Sequence, residues 1–276
     1  MKVVILAGGK GSRLAEETGN KSKAMVRIGD HPIIWHIMQY YSAFGLSHFV
    51  VALGHQADSI RSYFEAMSSG PVTRDGPRMV VHTRTEPSWT IELIDTGPET
   101  LSGGRIKRLA PYLDSEPFML TYCDGLADVD LDGLLAFHSA HGRLATLTAI
   151  HPQPRFGRLS LDGGRVAGFQ EKVIDPDEWV NGGFFVLDPK IFDYIAGDET
   201  QWEREPLAGL AADGELMGYR HKSFWQCMDT LPESLLLNDL WHKGNAPWRR
   251  WILALAGLGL ACRQVVWSTI DSIPFY

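Results

Sequence analysis

The chain has 276 residues, of which 45% are hydrophobic, so it can bury a full core as one large domain or as one domain with an appendage. Its formal net charge of -7 argues against nucleic acid and anionic membranes as partners, because neither is held by an acidic protein that lacks a basic patch. A small anionic substrate is compatible with this charge, since it needs only a local cluster of cations.

The N terminus and the cysteines indicate the compartment. Only five apolar residues follow the first two residues before a glycine, which is too few for the core of a signal peptide, so we expect a cytoplasmic protein. The cysteines Cys123, Cys227 and Cys262 lie far apart without the paired spacing of a metal site, and we expect reduced thiols. The apolar stretch 251–262 is shorter than the ~20 residues that span a bilayer, so no membrane partner is expected.

Short apolar runs alternate with helical patterns along the chain. Strands are predicted at residues 3–7, 49–53, 79–82, 118–122, 145–149 and 184–187. Helices are predicted at residues 32–44, 57–67, 131–140 and 202–212. The polar segment 68–76 contains glycine and proline and is predicted to be a mobile loop. This alternation predicts an α/β fold with a Rossmann-like mixed, mostly parallel sheet flanked by helices.

A glycine-rich turn follows the first predicted strand. Residues 6–14 read Leu-Ala-Gly-Gly-Lys-Gly-Ser-Arg-Leu. Three glycines, Gly8, Gly9 and Gly11, let the backbone bring its N–H groups against a polyphosphate, and Arg13 adds a fixed cation. The spacing matches neither the dinucleotide fingerprint nor a Walker loop. The turn favours nucleotide chemistry, although glycines alone are equally typical of a tight strand-to-helix loop.

Two aspartates are the candidate metal ligands. Asp124 follows a predicted strand, and Asp229 lies far along the chain in a Met-Asp-Thr segment. Ligands of such sheets gather at the carboxyl ends of strands, where the glycine-rich turn and Asp124 would both emerge. Two carboxylates from separate elements suit Mg²⁺, which completes its shell with phosphate oxygens and water. A turn or a helix cap is the alternative role of a single aspartate at a strand end.

Several motifs together resemble those of the sugar-phosphate nucleotidylyltransferases. That family opens with a Gly-Gly-x-Gly-Ser/Thr-Arg-Leu turn, followed by a lysine pair, Pro-Met and a helix start that contains glycine and proline. The matching segments here are 8–14, 21–26, 29–36, 121–125, 169–172, 181–185 and 224–230. The later segments resemble the cytidylyltransferase branch of the family, and the match runs over residues 1–248.

The resemblance implies transfer of a cytidylyl group from CTP to a hexose 1-phosphate, with a CDP-sugar and pyrophosphate as products and Mg²⁺ as the cofactor. Lys23 matches the family lysine that reaches the phosphates, and Arg13 matches the arginine that offsets charge on the departing pyrophosphate. Asp124 and Asp229 match the metal-binding aspartates. The implied nucleotide-binding residues are Leu6, Ala7, Gly8, Gly9, Gly11, Ser12, Thr96, Gly103, Gly104 and Arg105.

A sugar-phosphate pocket is implied by Glu171, Lys172, Asn181 and Gly182, where a carboxylate and an amide would bind hydroxyl groups and a lysine would meet the phosphate. An exposed charge pair is the alternative role of the Glu-Lys dipeptide. The resemblance adds a small β-rich sugar-binding or lid portion to the fold. For the loop at Thr96 and Gly103–Arg105, a hairpin-like turn is an equally plausible alternative.

The domain organisation follows from the extent of the match. Residues 1–248 are expected to form the nucleotidylyltransferase domain, and residues 249–276 an apolar C-terminal tail that packs on it or lies at an oligomer interface. Members of the family are commonly oligomeric, so we expect a homo-oligomer that binds CTP and a sugar 1-phosphate.

Three alternatives to this function stay open. Another nucleoside triphosphate or sugar phosphate could be the substrate of the same transfer. A metal-dependent glycosyltransferase is indicated by the Asp-x-Asp pair of Asp128 and Asp130, although so short a motif is common by chance. A non-catalytic nucleotide-sugar sensor would keep the pocket but lose Arg13, Lys23 or an aspartate, and none of them is lost.

Overall fold

The computed structural model of the protein describes residues 1–9, 21–85, 87–154 and 156–250. Gly11, Ser12 and Arg13, and the predicted tail from residue 251 onward, lie outside these ranges. The strands are β1 (Val3–Leu6), β2 (Arg27–Ile28), β3 (His31–Pro32), β4 (His48–Leu53), β5 (Thr73–Asp75), β6 (Arg78–His82), β7 (Thr90–Asp95), β8 (Phe118–Tyr122), β9 (Gly125–Ala127), β10 (Ala145–Ile150), β11 (Arg158–Asp162), β12 (Arg165–Gln170), β13 (Val180–Leu187), β14 (Leu216–Arg220) and β15 (Trp225–Cys227). The α-helices are α1 (Ile33–Ser42), α2 (Ala57–Ala66), α3 (Ser102–Arg108), α4 (Leu131–His141), α5 (Glu205–Ala212) and α6 (Leu231–His242).

Within the described residues, the central sheet has nine strands in the order β14-β10-β13-β8-β1-β4-β7-β6-β5. The four neighbours β8, β1, β4 and β7 are parallel to one another. The remaining pairings place β5, β10 and β14 in the same direction as these four, and only β13 and β6 run against them. The predicted α/β fold with a mixed, mostly parallel sheet is therefore confirmed.

Two hydrophobic cores cover the two faces of this sheet. Successive strand residues point to opposite faces, so Val3 and Ile5 lie in one core while Val4 and Leu6 lie in the other. Helices α1, α2, α4 and α6 pack on the first face, and α3 and α5 pack on the second. Because both faces are covered, the central strands are continuous apolar runs, which is the signal that located them in the sequence.

The predicted loop at residues 68–76 is wrong in part. Thr73–Asp75 forms β5, which pairs with β6 as an antiparallel edge strand, and Ser68 forms an isolated bridge with Thr83. Gly76 makes the connecting turn with φ of +53°, in the left-handed region that favours glycine. All three residues of β5 are exposed, so the strand lacks the apolar alternation by which a strand is recognised.

Strands β11 and β12 form a separate two-stranded hairpin outside the main sheet, where a small β-rich portion is expected. At the other end of the described chain, the first two residues of the predicted tail pack on the domain. The guanidinium of Arg249 lies 4.6 Å from the ring centre of Trp241, and that of Arg250 lies 5.5 Å from the ring centre of Phe44. Within the described residues, no helix has the length and apolar character to cross a membrane.

Candidate functional site

A cavity of about 470 Å³ opens at the carboxyl ends of β1 and β8, where Gly8 and Asp124 follow their strands. This is the edge at which open α/β sheets bind their ligands. The cavity brings together segments that are far apart in sequence. It is lined by Leu6, Gly8, Gly9, Lys23, Pro98, Glu99, Thr100, Leu101, Ser102, Arg105, Tyr122, Cys123, Asp124, Glu203 and Asp229.

A lysine and two aspartates meet on one wall of the cavity. The Nζ atom of Lys23 lies 2.7 Å from Oδ2 of Asp124 and also contacts Oδ1 of Asp229. Burial alone lowers the pKa of Lys23, but the two carboxylates outweigh burial, so its pKa lies above the ordinary range of a lysine. The ammonium group therefore stays charged, and it contacts both carboxylates.

Backbone pairing explains how the two aspartates meet across a long stretch of sequence. Strand β9, directly after Asp124, pairs with β15, directly before Asp229, and Cys227 lies opposite Gly125. The N–H of Met228 donates to the backbone oxygen of Asp124 at 2.8 Å. The two carboxylates are thus fixed relative to each other by main-chain hydrogen bonds.

The start of α6 fixes Asp229 from the other side. Thr230 is the N-cap of this helix, and Glu233 completes a capping box. One carboxylate oxygen of Glu233 accepts the N–H of Asp229 at 2.7 Å and that of Thr230 at 2.9 Å. The sequence pattern Thr-x-x-Glu marks this helix start, so the rigidity of the Asp229 segment could have been read from the sequence.

The aspartate pair fits a hard divalent cation. Two carboxylates converge on one positively charged group, and the ammonium of Lys23 occupies the position of a cation between them. Within the described ranges, no cluster of three or more acidic, histidine or cysteine side chains could hold a metal. This donor set suits Mg²⁺, which takes one or two protein carboxylates and fills its shell with phosphate oxygens and water.

Arg105 also lines the cavity and is only 5% exposed. Its Nη1 atom donates to the backbone oxygens of Leu53 and Gly97, at 3.0 and 2.6 Å, and to the hydroxyl of Thr96 at 2.8 Å. Burial lowers the pKa of Arg105 below its ordinary value. Backbone and hydroxyl oxygens therefore hold this guanidinium in place where it lines the cavity.

The Arg105 side chain leaves little room for a side chain at two glycine positions, Gly8 and Gly54. A Cβ atom added to Gly8 would lie 2.4 Å from Cζ of Arg105, and one added to Gly54 would lie 2.2 Å from Nη1. Gly9, by contrast, has open space where its side chain would be. A side chain at position 8 would therefore have to displace the guanidinium from the strand end, a constraint that the sequence does not reveal.

The structure places the predicted nucleotide-binding residues in different surroundings. Leu6, Gly8, Gly9 and Arg105 line the cavity. Ala7 and Thr96 are buried next to it, and the hydroxyl of Thr96 donates to the backbone oxygen of Leu53 at 2.6 Å. The structure describes no placement for Gly11, Ser12 or Arg13.

Gly103 and Gly104 lie on the packing face of α3. A Cβ atom at Gly103 would lie 2.8 Å from the backbone oxygen of Thr200, and one at Gly104 would lie 2.5 Å from the backbone of Asp198. The hairpin-like turn considered for this segment is absent, because residues Ser102–Arg108 form a helix. The small residues let α3 approach the segment before α5 closely, and these two glycines do not line the cavity.

The four predicted sugar-phosphate residues are not gathered on the cavity wall. Glu171 and Lys172 follow β12 and are exposed, whereas Gly182 is buried in β13, where its backbone oxygen accepts the indole N–H of Trp225 at 2.7 Å. Asn181 reaches the cavity through Tyr122, to whose hydroxyl it donates at 3.4 Å. Only the Asn181 side of the predicted pocket is therefore continuous with the cavity.

Eight of the residues that line the cavity are absent from the predicted site, among them Tyr122 and Glu203. Tyr122 lay within a quoted motif but had no role, and Glu203 lay in a predicted helix. Their side chains meet, since the hydroxyl of Tyr122 donates to Oε1 of Glu203 at 2.8 Å. No local pattern could reveal a contact between residues that are 81 positions apart.

The Asp-x-Asp pair has structural partners. Asp128 accepts the hydroxyl of Ser223 at 2.6 Å and lies 3.3 Å from the imidazole of His221. Asp130 caps α4 and accepts the N–H of Gly133 at 3.2 Å. Neither aspartate lines the cavity, so the observation that suggested a glycosyltransferase is explained by local structure.

The two described cysteines, Cys123 and Cys227, are free thiols, as expected. Burial, reinforced by Asp124, raises the pKa of Cys123 to about 12, and burial, reinforced by Glu233, raises that of Cys227 to about 12. Both thiols are thus protonated at neutral pH and are poor nucleophiles.

Known proteins resemble this chain over most of its length. The model of the family described as nucleotidyl transferase matches residues 2–218. The glucose-1-phosphate cytidylyltransferases of Salmonella typhi and Salmonella typhimurium are each 48% identical over 256 residues, which is 91% of this chain and 100% of each relative. Among solved structures, HddC from Yersinia pseudotuberculosis superposes with a TM-score of 0.65 at 21% identity, over 87% of this chain and 99% of that one, and this likeness supports the fold.

Proposed function

The chain belongs to the nucleotidyl transferase family, and we propose that it transfers the cytidylyl group of CTP to glucose 1-phosphate, giving CDP-glucose and pyrophosphate. The observation that carries this proposal is the 48% identity to the Salmonella cytidylyltransferases over their whole length. The cavity agrees with it, because its lining combines the cations Lys23 and Arg105 with the carboxylates of Asp124 and Asp229.

The reaction needs positioning more than covalent help from the protein. An oxygen of the sugar phosphate attacks the α-phosphorus of CTP in line, and the bond to the bridging oxygen of pyrophosphate breaks. The attacking phosphate is already ionised at neutral pH, so no side-chain base is required. The main task is to hold two anions together, which lowers the entropic and electrostatic parts of the barrier.

Cations of the chain would perform that task. Lys23 would neutralise charge on the CTP phosphates, and Lys172 would meet the phosphate of the sugar. Arg13 would offset charge on the departing pyrophosphate. Arg105 would hold the nucleotide end of the cavity, where its guanidinium is fixed by the backbone oxygens of Leu53 and Gly97.

Mg²⁺ is the proposed cofactor, with Asp124 and Asp229 as its protein ligands. When bound, it would neutralise charge on the phosphate oxygens of the nucleotide. The convergence of the two carboxylates on a single cation supports this assignment.

The experiment that tests the proposed function is a product assay. Purified protein is incubated with CTP, glucose 1-phosphate and MgCl₂, and CDP-glucose is measured by mass spectrometry beside released pyrophosphate. The two products should form in equal amounts, and neither should form when glucose 1-phosphate is omitted. Pyrophosphate without CDP-glucose, or no product at all, would contradict the proposal.

We further infer that the protein is a homo-oligomer whose subunits cover the β11–β12 hairpin. The cross-strand pairs Leu159–Phe169 and Leu161–Val166 place four apolar side chains on one face of this hairpin. These side chains are 51 to 65% exposed within the single chain. An isolated two-stranded hairpin is at best marginally stable in water, so a second subunit would both bury this face and support the hairpin.

A further inference from the structure

Glu203 is held on the cavity wall by two hydrogen-bond donors. The hydroxyl of Tyr122 donates to its Oε1 atom at 2.8 Å, and the hydroxyl of Ser102 donates to its Oε2 atom at 2.7 Å. The three residues come from the end of β8, the start of α3 and the segment before α5. Three elements of the fold thus place one carboxylate in the cavity.

The direction of both hydrogen bonds is fixed by the neighbours. The N–H of Trp202 donates to the Ser102 oxygen at 2.9 Å, which leaves the Ser102 proton for Glu203. The Asn181 amide donates to the Tyr122 oxygen at 3.4 Å, and its own oxygen accepts the N–H of Gly183 at 2.8 Å. The hydroxyl protons of Ser102 and Tyr122 both point toward Glu203, so the carboxylate is a preorganised acceptor.

Both oxygens of Glu203 retain acceptor capacity. An ionised carboxylate offers about four lone-pair sites, and the protein donors occupy one on each oxygen. In the described part of the chain, no cationic side chain forms an ion pair with Glu203. Glu203 lines the cavity and is exposed, so its remaining lone pairs can accept hydrogen bonds from a ligand.

Two adjacent acceptors with a full negative charge select a particular ligand chemistry. A phosphate would be repelled, and the cation position in this cavity lies at Asp124 and Asp229. Two neighbouring hydroxyl groups can each donate to one carboxylate oxygen, so a vicinal diol matches both acceptors at once. Glu203 accepts from Ser102, which lines the cavity, and from Tyr122, which Asn181 of the predicted sugar pocket contacts.

We propose that Glu203 is a specificity-determining residue that binds a vicinal diol of a bound substrate, with Tyr122 and Ser102 as its positioning residues. The proposal rests on the proposed function for the identity of the substrates. Both of them carry a vicinal diol, in the ribose of CTP and in the hexose of glucose 1-phosphate. The ribose and the hexose can be distinguished by removing single hydroxyl groups. Only the substrate whose diol contacts Glu203 should then bind more weakly.

The test compares substrates that lack single hydroxyl groups. The wild type and Glu203→Ala are assayed for pyrophosphate release with CTP, 2′-deoxy-CTP and 3′-deoxy-CTP, and separately with glucose 1-phosphates that lack the 2-, 3- or 4-hydroxyl. The wild type should lose about tenfold to a hundredfold in kcat/KM for one substrate series, because the hydrogen bond to a charged acceptor is lost. In Glu203→Ala, the kcat/KM values of the complete substrate and of the same deoxy analogue should differ by no more than about twofold. The affected series identifies the ribose or the hexose as the diol.

Two further variants separate recognition from general damage. Tyr122→Phe removes one donor to Glu203 but keeps the carboxylate. It should weaken discrimination against the deoxy substrate, and the hydroxyl group whose removal matters should be the same as in the wild type. Glu199→Ala is the matched control, because Glu199 precedes the same helix but lines a different cavity together with Tyr194 and Gly197. Glu199→Ala should keep the discrimination of the wild type.

Equal use of all deoxy substrates by the wild type, or unchanged discrimination in Glu203→Ala, would overturn the proposal. If the wild type forms no product with CTP and glucose 1-phosphate, the proposed function fails, and calorimetric binding decides the diol separately. CTP or glucose 1-phosphate should then bind the wild type about tenfold or more tighter than its deoxy analogue, and Glu203→Ala should bind the pair equally. Equal binding of each pair by the wild type would reject the diol assignment in that case also.

Discussion

The ammonium group of Lys23 lies 2.7 Å from the carboxylate of Asp124, and it also contacts the carboxylate of Asp229. A lysine in this position cannot neutralise a polyphosphate at the same time. We expect a divalent cation to take over the two carboxylates when nucleotide binds, which would free Lys23 for the phosphates. Cation binding and phosphate binding would then be coupled through a single side chain.

The first prediction concerns this cluster. Asp124→Asn and Asp229→Asn should each lower kcat at saturating substrate by about a hundredfold or more, because a neutral amide cannot offset the charge of the cation as a carboxylate does. Steady-state pyrophosphate release across a range of Mg²⁺ concentrations measures the effect. Near-normal rates of both variants in saturating Mg²⁺ would contradict the assignment of Asp124 and Asp229 as ligands of Mg²⁺.

Asp128→Asn is the matched control for that measurement. Asp128 belongs to the Asp-x-Asp pair but contacts Ser223 and His221 and does not line the cavity. Its replacement should leave kcat within about twofold of the wild type, since no charge near the reacting phosphates changes. A loss as large as that of Asp124→Asn would bring the glycosyltransferase alternative back.

The second prediction concerns the close approach of Gly8 and Arg105. Gly8→Ala should destabilise the protein by about 1–3 kcal/mol, because the new methyl group displaces the guanidinium from its carbonyl partners. Thermal unfolding of the ligand-free protein measures this. Gly9→Ala, which meets open space, should change the melting temperature by less than about 1 °C.

A double-mutant cycle isolates the contact itself. In an Arg105→Ala background the methyl group at position 8 has no guanidinium to displace, so Gly8→Ala should then cost little. Equal costs of Gly8→Ala in both backgrounds would show that Arg105 is not the reason for the glycine.

The sequence predicts those parts of the fold in which burial leaves a periodic pattern. The central strands β1, β4 and β8 are covered on both faces, so each is a continuous apolar run. The edge strand β5 is exposed along its whole length and shows no such run, which is why its segment reads as a loop. Whether a strand can be recognised from the sequence therefore depends more on its burial than on the intrinsic β-propensity of its residues.

The site shows the same division. Asp124, Asp229 and Lys23 were identified by motif, and the structure brings them into contact. The packing role of Gly103 and Gly104 could not be inferred, because it depends on the approach of a segment almost a hundred residues away. The same holds for Glu203, whose partners Tyr122 and Ser102 are 81 and 101 residues away.

The third prediction is a pH dependence of stability caused by His36. This side chain is fully buried; its Nε2 atom donates to the backbone oxygen of Ile28 at 2.9 Å, and its Nδ1 atom accepts the indole N–H of Trp248 at 3.4 Å. Burial lowers the pKa of His36 to about 4. The unfolded chain therefore takes up a proton between about pH 6.5 and pH 4 that the folded protein does not, and stability falls as pH decreases through this window.

Above about pH 6.5 the contribution of neutral His36 to the free energy of unfolding is fully present. Below that pH it decreases by at most ~1.4 kcal/mol per pH unit. Chemical denaturation of the wild type and His36→Gln at pH 7.5, 6.0 and 5.0 measures it, and the difference between the two proteins removes the effect of the other histidines. The stability advantage of the wild type should shrink toward pH 5.0. A constant difference would mean that His36 titrates normally.

The fourth prediction concerns the apolar face of the β11–β12 hairpin. The double variant Leu159→Ser and Leu161→Ser should shift the protein toward smaller species in light scattering coupled to size-exclusion chromatography, because it removes apolar area that a second subunit would bury. Arg165→Ser changes the opposite face of the hairpin, where Arg165 pairs with Asp162, and should leave the size unchanged. A monomeric wild type, or an unaltered size of the double variant, would contradict the inferred interface.

The nucleotide that the enzyme uses decides between cytidylyl transfer and the transfer of another nucleotidyl group, and we expect CTP. CTP, UTP, dTTP, GTP and ATP are supplied as equimolar competitors with one limiting pool of glucose 1-phosphate and Mg²⁺, and the nucleotide-sugar products are quantified by mass spectrometry. A cavity that pairs with the cytosine edge should favour CTP over UTP and dTTP by roughly tenfold to a hundredfold, the value of one unsatisfied hydrogen-bonding group, and over the purines by more. CDP-glucose as the dominant product is the predicted result; equal or greater amounts of UDP- or dTDP-glucose would contradict cytidylyl transfer.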